Sequence, residues 1–151
     1  MDDSKITFEQ AKIEHVDALK GKLRKSDILE IKAVTGSCDD SIMVEAFLSS
    51  KVCWTAFKDG KPIAIFGVCK IDEKTGSPWF LGTKEVDRCG KDFVRNSLYY
   101  LNEVKSHFNY LENYIDVRQK KSIRWLRWLK FNIDHPVVYG VEKLLFHRFW
   151  I

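Results

Sequence analysis

A chain of 151 residues that is 45% hydrophobic and 13% aromatic can bury one real core, which excludes a disordered polymer and points to a single domain over 1–151. Twenty-five Lys and Arg against twenty-one Asp and Glu give only +4, so the chain is not strongly basic overall. No stretch approaches the roughly 20 apolar residues that span a bilayer, and the opening MDDSKITFEQ is too acidic and polar for a signal peptide.

Alternation of Ile6 and Phe8 with Thr7 and Glu9 predicts a first strand over 6–11. A helix opens near His15, with Val16, Leu19 and Leu23 on one face. Ser26-Asp27 marks a second helix start and Gly36 its stop. Asp39-Asp40 caps a third helical piece, which ends at Ser49-Ser50. Val52 to Phe57 and Ile63 to Ile71 are strands around Asp59-Gly60, the strongest hairpin signal in the chain. Residues 72–77 read as a polar turn and Pro78 to Thr83 as a further strand. Gly82 inside it marks a bulge or a close backbone approach. A linker over 84–91 leads to the longest helix, about Lys91 to Phe108. A strand at 113–117, a helix at 122–129 and a hairpin of His135 to Tyr139 with Leu144 to Trp150 complete the chain. A helix between the fourth and fifth strands demands a parallel crossover there.

Cys38, Cys53, Cys69 and Cys89 lie 15 to 20 residues apart, with no CxxC and no histidine at ligand spacing. They read as reduced thiols of a cytosolic protein, and no metal site is expected. His107, His135 and His147 are unclustered, and no nucleophilic triad has a local signature.

The most informative stretch is NYIDVRQKKSIRWLRWLKF, residues 113–131. Ile123, Leu126 and Leu129 make an apolar helix face, and Arg124, Arg127 and Lys130 lie on a wetter one. From Val117 to Ile133 there are six basic residues and no acid, so positive charge concentrates here. Basic residues interleaved with Trp125 and Trp128 suit a protein interface better than nucleic acid, because tryptophan and arginine dominate interface hot spots.

This arrangement resembles the cofactor-contacting end of the GNAT acetyltransferase fold. Gln119 stands where that family has Asn, Ser122 at its Ala, Leu126 at its Tyr, Lys130 at its Gly and Phe131 at its Phe. PWFLGT near residue 80, the stretch 113–131 and the closing FHRF resemble more narrowly the GNAT-like internal-protein family of short-tailed bacteriophages, over nearly the whole chain. The resemblance implies an α/β fold: a mixed, mostly antiparallel sheet with one parallel central strand pair and helices on both faces. It implies that strands four and five splay apart and that acetyl-CoA lies in the gap. The exposed backbone at Leu81, Gly82 and Thr83 would face the pantetheine arm. Arg88, Gly90 and Lys91 would face the phosphates, and Gln119 and Ser122 the thiol end. Only Gly90 survives from the glycine loop, and Leu126 cannot replace the tyrosine that serves as general acid. Glu112, Tyr114 and Asp116, on one face of the fifth strand by their period of two, are the candidates for a base. Arg124, Trp125, Arg127 and Trp128 are the candidate partner surface. The expectation is therefore a bacteriophage GNAT-fold protein with degenerate acetyl-CoA motifs. It would act through phage or host protein contacts, in the cytoplasm of an infected bacterium or in the virion. The alternative is an active acetyl-CoA-dependent N-acetyltransferase on a protein or small-molecule amine.

Overall fold

The structure is a computed structural model that describes residues 5–151. Among the described residues eight strands form one sheet: β1 (Ile6–Gln10), β2 (Ser50–Lys58), β3 (Lys61–Lys70), β4 (Thr75–Gly82), β5 (Tyr110–Asp116), β6 (Asn132–Ile133), β7 (Val137–Tyr139) and β8 (Leu144–Trp150). Their order is β1-β2-β3-β4-β5-β8-β6, and β7 also pairs with β8. Only β4 and β5 run parallel; every other pair is antiparallel. The crossover between them is α5 (Gly90–Lys105), as the helix between two strands required.

Helices cover both faces. On one side α1 (Ile13–Leu19) and α3 (Ser41–Ser49) bring Val16, Leu19 and Met43 onto Ile65 of β3. On the other side α5, the segment that follows it and α6 (Lys120–Trp128) bring Val104, Phe108 and Ile123 in turn onto Val68, Leu111 and Ile115. Val68 and Ile65 differ in parity along β3, so alternation sends them to opposite layers. The β2–β3 hairpin turns at Asp59 (φ 51°) and Gly60 (φ 75°), the two positive φ values that a two-residue type I′ turn requires.

One further helix, α2 (Lys25–Thr35), is held at both ends. It stops where Gly36 takes φ 89° and donates its N–H to the Lys32 carbonyl. The turn between β7 and β8 then satisfies two more of its terminal carbonyls: Val141 N–H reaches Val34 and Glu142 N–H reaches Ala33, each at 3.1 Å. Gly140 makes that approach possible. It has φ 82°, and a Cβ there would lie 2.6 Å from the Ala33 carbonyl oxygen. At the other end Arg24 N–H donates to the Gly82 carbonyl at 2.8 Å, fastening the start of α2 to the end of β4.

Several boundaries differ from the sequence reading: β5 begins at Tyr110 rather than 113, α5 ends at Lys105 rather than Phe108, and β6 was not expected. The linker after β4 contains a one-turn helix, α4 (Glu85–Arg88). α6 begins two residues earlier than Ser122. β4 begins at Thr75, so Pro78 lies within the strand rather than at its entrance. The proline is tolerated because β4 and β5 have parted there.

Candidate functional site

β4 and β5 pair only at Thr75 with Tyr110 and Gly76 with Leu111. Beyond that they splay, as the resemblance implied. Pro78 suits the parting. Its carbonyl accepts the Asn113 side-chain N–H at 2.7 Å, so this side of Pro78 faces β5. A residue's N–H and C=O point the same way in a strand, and proline has no N–H to offer. The ladder ends at that point, and Asn113 bridges the first step of the gap.

The gap opens into a cavity of about 240 Å³ walled by Phe66, Phe80, Phe93, Tyr100, Ile115 and Trp125. Trp125 packs edge-on against Phe80, ring centroids 5.4 Å apart, and lies 6.4 Å from Phe93. Its indole Nε1 is buried and has no hydrogen-bond partner among the described residues. Trp125 was expected to face a partner. Its place at this wall corrects that: the indole lies between β4 and the start of α5.

The mouth is built by polar side chains from α2 and the β5–α6 turn. Asp27 is 2% exposed; its Oδ2 accepts the Gly82 N–H at 2.9 Å and the Arg24 Nε–H at 2.8 Å. Arg24 also reaches Asp87 at 3.0 Å. Glu30 Oε2 accepts the Asp116 backbone N–H at 3.1 Å and the Gln119 side-chain N–H at 2.8 Å. The same Gln119 nitrogen lies 3.4 Å from Asp27 Oδ1, which links the two carboxylates. Burial pushes the Glu30 carboxyl up from 4.5 to about 7, the two donated hydrogen bonds oppose the rise, and the charges of Asp27 and Asp116 add to it.

Glu112, Tyr114 and Asp116 do share one face of β5, yet each is already engaged. Glu112 accepts from Arg148 at 2.6 and 2.9 Å. Tyr114 stacks on Tyr139 with centroids 4.1 Å apart. Asp116 is 2% exposed and holds Arg118 through both carboxylate oxygens, the closest contact 2.6 Å. The carboxyl nearest to a working base is Glu30, which sequence reasoning missed. Its one signal was the spacing of Asp27 and Glu30, a helical turn apart on α2.

The expected open backbone at Leu81, Gly82 and Thr83 also needs correction. Thr83 N–H donates to the Ile63 carbonyl at 2.8 Å, and Leu81, two residues earlier, faces β3 in the same phase. Gly82 does face the gap, but it is buried, Asp27 holds its N–H and Arg24 fills its carbonyl. In the loop that follows, Val86, Asp87 and Cys89 donate their N–H groups to Thr83, Lys84 and Val86, and Glu85 donates to Thr83 Oγ1. Helix α4 thus spends within itself amides that a phosphate cradle would present. Arg88 is exposed and pairs with Glu85 at 3.1 Å. Gly90 and Lys91 line a second groove, about 530 Å³, between the start of α5 and α6. Phe93 and Trp125 are on its walls, with Lys91, Arg95 and Lys121 around it. Gln119 and Ser122 stand at the cleft mouth, their side-chain oxygens 3.5 Å apart. Of the expected partner residues, Arg124, Arg127 and Trp128 are exposed. Among the described residues no group of three or more His, Cys, Asp or Glu is placed to hold a metal ion, and no helix is long and apolar enough to cross a membrane.

Acetyl-CoA, the cofactor the resemblance implies, does not find the open backbone expected for it at Gly82 and Thr83. Gly82 has no free N–H, the N–H groups of Val86, Asp87 and Cys89 are used, and Trp125 stands between Phe80 and Phe93.

No family model and no curated protein matches the chain. Solved structures do. Ard1 from Thermoplasma volcanium superposes with a TM-score of 0.76 at 10% identity, over 97% of this chain and 96% of that one. Spermidine N-acetyltransferase from Vibrio cholerae, in complex with CoA and spermine, gives 0.70 at 11% identity over 97% and 95%. A GNAT superfamily phosphinothricin acetyltransferase from Sinorhizobium meliloti, in complex with AcCoA, gives 0.69 at 13% identity over 97% and 88%. At such identities the likeness speaks for the fold: an α/β domain with one parallel strand pair in a mixed sheet, built on the plan of the GNAT acetyltransferases.

Proposed function

We propose that this chain is a GNAT-fold protein that has given up acetyl transfer and acts through contacts with other proteins. The observation that carries this reading is the double cap on Gly82, whose N–H is held by Asp27 and whose carbonyl is held by Arg24. With both of its backbone groups held, Gly82 offers a ligand no hydrogen bond to join. The contacts would be made by the exposed part of α6, with Arg124, Arg127 and Trp128. A bacteriophage origin, with a role in virion assembly or on a host factor, is the setting that the PWFLGT and FHRF resemblance supports.

A second reading, acetyl transfer to an amine, is favoured by Glu30 alone. A carboxyl that titrates near neutrality at the mouth of an apolar cleft is suited to accept a proton. The solved relatives bound to CoA and spermine or to AcCoA show which ligands to try. Under this reading α2 must release Gly82 before a cofactor enters.

A thermal melt with millimolar acetyl-CoA or CoA separates the two. The contact reading expects no shift. A ligand at about 100 times its dissociation constant adds roughly 2.7 kcal/mol, worth several degrees for a domain of this size, and that rise would favour the enzyme.

A further inference from the structure

We propose that the outer face of α6 docks an acidic segment of a partner protein. This rests on the contact reading above and adds the chemistry of the partner.

The first observation is how arginine is used in this molecule. Arg24, Arg88, Arg95, Arg118 and Arg148 each pair with a carboxylate. Arg124 and Arg127 are the two arginines with no acidic partner among the described residues, and both are exposed on α6. At about 100° per residue they lie within about 60° of each other and bracket Lys120. No acid between Val117 and Ile133 can reach them along the helix.

The second observation is where the lysines stand. Lys120 and Lys121 occupy the first turn of α6, which holds no acidic residue. Cations at a helix N-terminus oppose the helix dipole, so this placement costs stability rather than adding it. An incoming carboxylate would meet both lysines and relieve that cost. Beside them Trp128 is 47% exposed, a flat apolar anchor next to guanidinium forks that bind carboxylates bidentately.

The distribution of charge selects a short acidic segment over a nucleic acid. Outside 117–133 the remaining nineteen Lys and Arg face twenty-one Asp and Glu, a net −2. The net negative remainder of the chain favours a segment short enough to stay on the α6 face over a long polyanion that must run beyond it.

The test is fluorescence anisotropy with a labelled Glu/Asp-rich peptide carrying one central Phe, against the full chain and its Arg124→Glu/Arg127→Glu variant. The peptide binds the parent, binding weakens as salt rises, and the variant binds about tenfold more weakly or less while melting at the same temperature. Equal binding by the variant, or no binding to the parent, overturns the proposal. So does tighter binding of an oligothymidylate of equal charge. Displacement of the peptide by acetyl-CoA also overturns it, because the face would then serve the cofactor's phosphates. A thermal shift with acetyl-CoA that leaves the peptide bound would sink the contact reading of the cleft while leaving this surface standing.

Discussion

At the cleft mouth Arg24, Asp27, Glu30, Asp116, Arg118 and Gln119 are joined through contacts of 2.6 to 3.4 Å. A few residues further along the chain, Lys120, Lys121, Arg124 and Arg127 are exposed, with no ion pair to an acid among the described residues. The two regions adjoin at Gln119, the N-cap of α6. Apart from Arg118, which is exposed, the mouth charges sit at low exposure, and each has been given a donor or acceptor, as burial demands. The α6 charges are hydrated and need no partner within the fold. Inward charge here holds α2 to β4 and β5. Outward charge holds nothing inside the molecule, so it is free to act on something else.

If that contrast is right, substitutions in the two regions should differ sharply in cost. Asp27→Ala should be the most damaging. It removes the acceptor of Gly82 and leaves Arg24, 11% exposed, short of its nearest carboxylate. A loss of about 3 to 4 kcal/mol is expected, read as a fall of about 10 °C in the melting temperature. Within α6, Trp125→Ala should cost about 3 kcal/mol because it empties the contact with Phe80 and Phe93, whereas Trp128→Ala should cost less than about 1 kcal/mol. Chemical denaturation of the two variants side by side would break the account if their costs were equal.

Glu30 makes the contrast depend on pH. A carboxyl whose folded pKa, about 7, exceeds its unfolded value binds its proton more tightly in the folded state. The stability tied to it is complete at pH values below the unfolded pKa and is lost as pH rises through about 7. The loss is roughly 2 kcal/mol by about pH 8, after discounting for partial exposure. Glu30→Gln should flatten that slope in melts run across this range. An unchanged slope would place the ionisation elsewhere. The smallest effect belongs to the outer face. Arg124→Ala and Arg127→Ala should each shift stability by about 0.5 kcal/mol or less in the same denaturation assay.

Much of the fold could be read from local pattern. Asp59-Gly60, Gly36 and Asp39-Asp40 each marked a turn or a helix end through backbone chemistry that acts within a few residues. Asp39 Oδ1 accepts the Ser41 N–H at 2.9 Å, close to the cap expected there. The parallel pairing of β4 with β5 followed from the helix between them. The site was harder to read because its contacts are long in sequence. Asp27 meets Gly82 across 55 residues, and Glu30 meets Gln119 across 89. No spacing rule reaches that far. Pro78 looked like a strand entrance because its cost inside a strand is usually prohibitive. That cost is absent where the neighbouring strand has already departed. Trp125 and Trp128 looked alike as aromatics three apart beside arginines, but the turn of the helix carries one into the cleft and leaves the other in solvent.

The most direct measurement is amide hydrogen exchange at Gly82, followed by NMR while CoA is titrated to millimolar concentration. The account predicts a protected Gly82 N–H whose resonance does not move with CoA, and loss of that protection in Asp27→Ala. Rapid exchange in the parent protein, or a Gly82 resonance that moves as CoA is added, would contradict it, because the strand edge would then be open to the cofactor.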